Sequence, residues 1–334
     1  MRRFVRCLAV SLALGLAFAA AARADQQLLW VTNSAGNDVH VVDVATNQVV
    51  KRLEVGALPH GIAAPDDAHV VFIALEGGTH ELLWVDPRTY EIRARLPVGP
   101  APNQIACTPD GKFVYIPCDD GMYWVVDAER KEVVEKIRTG GRPHNTQASR
   151  DGRWMYLSPM GNPRRVTVVD VAAGHKVVGE IPFGNVVRPP ALSRDGKRLY
   201  QHIDGLLGFQ AADTERREVF ATIHHTIPQE LQAQASRCHG LAIRPDQKEI
   251  WSCDVEHKLV FVHDLTQPDF PQIAMIPMLD TVYWLCFSPD GKFAFVSERG
   301  ADKIGVVDCA TKKVVTHIAV GKAPKRDLVI TLKD

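Results

Sequence analysis

Three histidines stand at equivalent places in this chain. His60, His144 and His239 sit second in the starts Pro59-His60-Gly61, Pro143-His144-Asn145 and Cys238-His239-Gly240. The same column holds Asn103, Arg188, Tyr283 and Lys325 in four further starts, and no carboxylate. Two chemistries fit such a ring. Three neutral imidazoles can hold a copper or zinc ion and leave a position open for substrate. In that reading the protein is a metal-dependent oxidoreductase or lyase using copper, zinc or iron, with Arg188, Lys325 or Tyr283 steadying the substrate. Alternatively, Arg188, Lys325 and Arg326 make the ring basic, and it holds a small anion such as a carboxylate by charge-assisted hydrogen bonds. The plain third reading is structural, with each imidazole bonded to a neighbouring strand.

Outer candidates are Glu76, Asp119, His202, Asp254, Glu298 and Arg299, together with His224 and His225. His202 and the paired His224-His225 could extend a site, although exposed loop histidines usually do nothing. No H-E-x-x-H, G-x-S-x-G or Gly-rich phosphate cradle occurs, so zincin, nucleophile-elbow and P-loop chemistry have no support.

What would bring the column together is repetition. The stretch Pro143 to Gly184 is one copy of a unit that recurs at Pro59, Pro102, Pro143, Val187, Cys238, Val282 and Pro324. Self-similarity at a period of roughly 40–50 residues marks a propeller or solenoid. Each of the first six starts is followed by a turn with Asp in one column: Asp67, Asp110, Asp151, Asp195, Asp246 and Asp290. A second column, Asp43, Asp86, Asp127, Asp170, Asp213, Asp264 and Asp308, closes the third strand of each unit. Both columns read as turn caps, because an Asp side chain bonds nearby backbone N–H groups. Turn signals every 8–12 residues or so favour four short strands per unit. The fold expected is therefore all-β, a seven-bladed β-propeller. Its seventh blade takes one strand from Lys325 to Thr331 and three from Gln27 to Val55, so the C-terminal strand pairs with the N-terminal blade and locks the ring. Residues 224–237 lengthen one connection and are expected to form a lid.

The chain has 334 residues with 39 basic and 39 acidic side chains. Zero net charge argues against an electrostatic grip on nucleic acid or anionic lipid. Residues 1–24 read as a signal peptide: Arg2, Arg3 and Arg6, an apolar run from Leu8 to Ala20, and Ala22-Arg23-Ala24 as the cleavage site. Residues 25–334 are then the propeller, periplasmic or secreted, with no membrane anchor left after cleavage. An oxidising compartment permits disulfides. Cys238 and Cys253 flank one hairpin symmetrically and are the candidate pair. Cys107 and Cys286 read as buried thiols. No C-x-x-C-H occurs, so no covalent c-type haem is expected.

Trp30-Val31-Thr32-Asn33, Asn37-Asp38-Val39 and Val41-Val42-Asp43, followed by Leu53-Glu54-Val55-Gly56 and Pro59-His60-Gly61, resemble the YVTN repeat of bacterial and archaeal β-propellers. Ile318-Ala319-Val320-Gly321 repeats part of it. The units around Gln201-His202-Ile203 and Ser252-Cys253-Asp254 depart most from that pattern. The resemblance implies a propeller and leaves the activity open. Similar propellers include surface proteins, lyases, lactonases, heavy subunits of amine dehydrogenases and the eight-bladed haem d1 domain of nitrite reductases. The function expected is a binding module taking a protein partner or a small ligand at the axial face, with the metal enzyme as the alternative.

Overall fold

The computed structural model describes residues 25–231 and 238–333. The expected signal peptide, and residues 232–237 of the expected lid, lie outside them.

The strands form seven four-stranded antiparallel sheets. Six sheets use four consecutive strands, in chain order from the axis outward. Their inner strands are Pro59–Ala63, Ala106–Cys107, Arg142–Ala148, Val187–Leu192, Cys238–Ile243 and Val282–Phe287, and each blade is named here by the first residue of its inner strand. The seventh joins Pro324–Leu332 to Gln26–Asn33, Asp38–Asp43 and Gln48–Glu54. Ile330 pairs with Leu28 and Leu328 with Trp30. Pro324–Leu332 also touches the inner strands of the Val282 and Pro59 blades, which closes the ring. The seven-bladed propeller with a C-terminal closing strand is thus the fold of the chain.

Burial follows from the stacking of blades. A second strand such as Val71–Leu75 is covered on both sides by neighbouring blades and is buried throughout, so it reads as an unbroken apolar run. An outer strand such as Ile92–Pro97 alternates between half-buried and exposed positions. Phe72, Phe209, Phe261 and Phe295 are fully buried between blades. Each contributes about 1.5–3 kcal/mol relative to an exposed ring.

The Asp columns are caps, as their positions imply. Asp127 Oδ1 accepts the backbone N–H of Glu129 and of Arg130, at 3.1 and 2.9 Å. Asp43, Asp86, Asp170, Asp213, Asp264 and Asp308 do the same for their own turns. In the hairpins, Asp151 Oδ1 takes the N–H of Arg153 and the hydroxyl of Ser149.

Two expectations need correction. The inner strand of the Ala106 blade begins later than Pro102: the Asn103 N–H still reaches Pro117 O on the second strand, but the Gln104 N–H turns to Asn103 Oδ1 and leaves the ladder. Cys238 and Cys253 do not pair. Cys238 stands opposite Asp254, and the register shifts between Cys238 and Leu241. Cys253 instead joins the apolar cluster of Trp251, Val260 and Val282. The six described cysteines form no disulfide.

Candidate functional site

A β-bulge at the start of the inner strands builds the site. The register shifts between Pro59 and Ile62, Arg142 and Asn145, Val187 and Pro190, Cys238 and Leu241, and Val282 and Trp284. Each interval contains the column residue: His60, His144, Arg188, His239 or Tyr283. A bulge re-aims a side chain that regular pleating would send into the next blade. His144 and His239 accordingly meet with ring centroids 6.0 Å apart, although the Val187 blade lies between theirs. His239 stacks on Tyr283 at 3.9 Å.

Glycine allows the same close approach. A Cβ on Gly61 would lie 2.4 Å from Asn103 O, and one on Gly240 would lie 2.8 Å from Trp284 Cα. The Gly of Pro-His-Gly therefore serves contact between neighbouring inner strands and not only the entry turn.

Arg326, not Lys325, occupies the centre. Lys325 Nζ is held 2.9 Å from Glu76 Oε2, which also lies 3.0 Å from His60 Nδ1. Burial raises the Glu76 carboxyl, but its contacts with His60 and Lys325 outweigh that and hold it well below the usual range. Arg326 is 1 % exposed and lies over the rings of Trp284 and Tyr283, at 4.0 and 5.5 Å. Its Nη1 reaches Lys325 O, whereas its Nε and Nη2 find no hydrogen-bond partner among the described residues. Burial lowers its pKa to about 10.

The three imidazoles are buried and neutral. Burial first, then the Arg326 and Arg188 charges, lowers His144 to about 3. Burial and Arg326 also hold His239 well down, and burial and Lys325 do so for His60. His239 Nδ1 and His60 Nε2 have no hydrogen-bond partner among the described residues. Among the described residues, His60, His144 and His239 do not bring three ligand atoms within 4.8 Å of one another. A guanidinium acts on all three rings, and a fixed cation repels a metal ion while it attracts an anion. Asn103 is spent on its own turn. Arg188 pairs with Asp204, and its side chain stays about a quarter exposed at the mouth. Asp119 forms a two-point pair with Arg142. Arg299 approaches the Tyr283 ring, and Asp254 and Glu298 are engaged with His257 and His317.

A cavity of about 690 Å³ opens at the other end of the axis. Gln104, Asn145, Thr146, Leu241 and Trp284 line it. Trp284 therefore separates this cavity from the Arg326 layer.

His202 and His225 contradict their expected exposure. Both are buried, and each brings Nε2 to Ser252 Oγ, at 2.9 and 2.8 Å. His224 is exposed. The described part of the insertion packs inward, with Ile227 against Leu259 and Phe261, and with the His257 ring on Leu231 O. The signal for His202 and Ser252 was their departure from the repeat consensus.

Residues 113–332 match the model of the Cytochrome D1 heme domain family. No curated protein sequence matches the chain. Among solved structures, a Kuenenia stuttgartiensis hydrazine synthase chain is 22% identical, with a TM-score of 0.70, covering 80% of this chain and 88% of its own. The dihydro-heme d1 dehydrogenase NirN, in complex with DHE, is 15% identical with a TM-score of 0.67, covering 87% and 63%. The Pseudomonas aeruginosa periplasmic gluconolactonase PpgL is 16% identical with a TM-score of 0.77, covering 91% and 99%. At these identities the likeness is one of fold.

Proposed function

This chain belongs to the cytochrome D1 heme domain family, and from that premise we propose that it is a binding module for a haem-type, carboxylate-bearing ligand at the axial face. One observation carries the reading: a buried arginine with two unpartnered nitrogens stands among three neutral imidazoles. Such a guanidinium suits a carboxylate, to which it can offer two parallel N–H donors.

The residues fit that ligand. Arg326, with Arg188 at the mouth, would take carboxylates. Tyr283 offers an aromatic wall, stacked on His239. His239, neutral and with Nδ1 unpartnered, is the candidate for an iron ligand. The hold would be non-covalent, since the chain carries no C-x-x-C-H. The chemistry such a group supplies is electron exchange or small-ligand binding at iron. The protein's part would be to desolvate the carboxylates, keep the imidazoles unprotonated and hold Glu76 away from the ligand by pairing it with Lys325.

We also read the blades as YVTN-type repeats and the chain as exported, on the pattern of residues 1–24. The fixed charge of Arg326 beside the three rings favours this reading over the metal-enzyme one.

Titration with ferric haem, and separately with a metal-free porphyrin bearing the same carboxylates, tests the proposal. Both are expected to bind wild-type protein, and Arg326→Gln to weaken both by ~10–100-fold, the loss of a charged hydrogen-bonding group. His239→Ala should alter the haem spectrum and leave the metal-free porphyrin unaffected. Absence of binding by either, or unchanged binding in Arg326→Gln, overturns it.

A further inference from the structure

A second cluster lies between the Val187 and Cys238 blades, outside the axial layer. His202 comes from Arg198–Ile203, His225 follows Glu218–His224, and Cys238 opens Cys238–Ile243. All three are buried, and one ligand atom from each lies within 4.8 Å of the others.

The protons in this cluster can be counted. His202 Nδ1 lies 3.0 Å from His239 O, a pure acceptor, so Nδ1 carries the hydrogen and Nε2 is a bare lone pair. His263 Nδ1 lies 2.7 Å from Phe270 O, so His263 Nε2 is bare. That nitrogen accepts from His225 Nδ1 at 2.9 Å, which leaves His225 Nε2 bare as well. Both bare nitrogens point at Ser252 Oγ. A serine hydroxyl has one hydrogen, so it satisfies one of them and sets its oxygen lone pairs against the other. Two converging imidazole lone pairs beside a thiol, each ring tethered through its other nitrogen, form the arrangement that metal-ligating histidines take.

We propose that His202 Nε2, His225 Nε2 and Cys238 Sγ bind a zinc or copper ion, with Ser252 Oγ beside the fourth position. Two imidazoles and a thiolate suit these borderline-soft ions and not calcium or magnesium. Tetrahedral zinc spaces its ligand atoms by about 3.3–3.8 Å, so a small inward rotation of the side chains completes the set. Binding replaces the thiol S–H by a sulfur–metal bond and releases one proton to solvent, with no change in oxidation state. The ion would tie the insertion, through His225, to both blades, next to the backbone of His239.

The test uses the mature chain stripped of metal with a chelator. It is titrated with zinc and, in a separate arm under reductant, with copper(I), each against a chromophoric competitor. Wild type is expected to take up one equivalent of at least one ion, and cobalt(II) in its place should show a thiolate charge-transfer band. Cys238→Ser should lose that band and at least ~10-fold in affinity. His225→Gln should weaken binding likewise; if it fails to fold by circular dichroism, the Cys238→Ser and cobalt results decide. Failure of wild type to bind either ion stoichiometrically, or equal binding by wild type and Cys238→Ser, overturns the proposal. Ferric-haem binding by Cys238→Ser should match wild type, so this site and the axial one fail or stand separately.

Discussion

The guanidinium of Arg326 lies 4.0 Å from the ring of Trp284, on the neighbouring blade. Arg326 belongs to the strand that closes the propeller, and Trp284 lines the cavity at the far end of the axis. One cation–π contact thus joins ring closure to the floor of the candidate site. A desolvated contact of this kind is worth about 2 kcal/mol. That is less than burying an arginine with two unpartnered nitrogens costs, several kcal/mol.

On the proposed reading, Arg326 serves binding at the expense of stability. Arg326→Met retains most of the stem packing and removes the buried charge. Its unfolding free energy, from denaturant melts, should equal or exceed that of wild type by about 1–3 kcal/mol, while porphyrin binding falls. A variant that is both less stable and still binds would assign Arg326 a purely structural role.

Stability should fall steeply in mild acid. His60, His144, His202, His225 and His239 all have depressed pKa values, chiefly through burial. The unfolded chain protonates them near pH 6.5, whereas the fold leaves them neutral. Below that pH the unfolded state binds more protons, so stability is lost as pH falls from about 6.5 towards 3. Each proton contributes about 1.4 kcal/mol per pH unit. Urea melts at pH 7, 6 and 5 measure the slope. His144→Gln should make it shallower by about one proton.

Asp327 works in the opposite direction. Burial, offset in part by Arg326, pushes its carboxyl up to about 8. The fold keeps its proton through a range in which the unfolded chain has lost it. Its contribution is therefore complete below about pH 4 and is lost as pH rises to about 8. One such group does not offset five histidines, so the net trend between pH 4 and 6.5 follows the histidines. Asp327→Asn isolates the effect: its stability relative to wild type should rise by a few kcal/mol between pH 4 and 8. A constant difference across that range would place an ionised carboxylate in the fold.

The repeat was legible because its turns are local chemistry. Asp127 caps Glu129 and Arg130 from within one turn, and any sequence window shows that. Closure was legible because the unit missing an Asp turn had its halves at the two chain ends. The centre was not. Lys325 holds the column position, but a register shift between Thr32 and Asn33 accompanies a strand in which Lys325 turns to Glu76 and Arg326 to the axis. A bulge moves alternate side chains by one place, and nothing in Pro324-Lys325-Arg326 announces it. His225 was read as exposed from its loop. Its burial depends on Phe261 of the next blade, against which its ring stacks at 4.2 Å.

The glycine after His239 gives the last test. Gly240 has an ordinary negative φ, since it is absent from the positive-φ positions, so alanine meets no backbone penalty there. What alanine meets is Trp284: its Cβ would stand 2.8 Å from Trp284 Cα and 3.1 Å from Tyr283 O. Backbone atoms on both sides cannot yield as a side-chain tip can, so the two inner strands must part. Overpacking of this kind costs about 1–3 kcal/mol. The same displacement separates His239 from Tyr283 and Arg326 from Trp284. Gly240→Ala should therefore lower both the thermal midpoint and porphyrin affinity. Gly174→Ala, with nothing within 4 Å of its Cβ but a φ of +75°, should cost about 1 kcal/mol and leave binding unchanged. Equal effects of the two substitutions on binding would show that the axial layer does not depend on the approach of these strands.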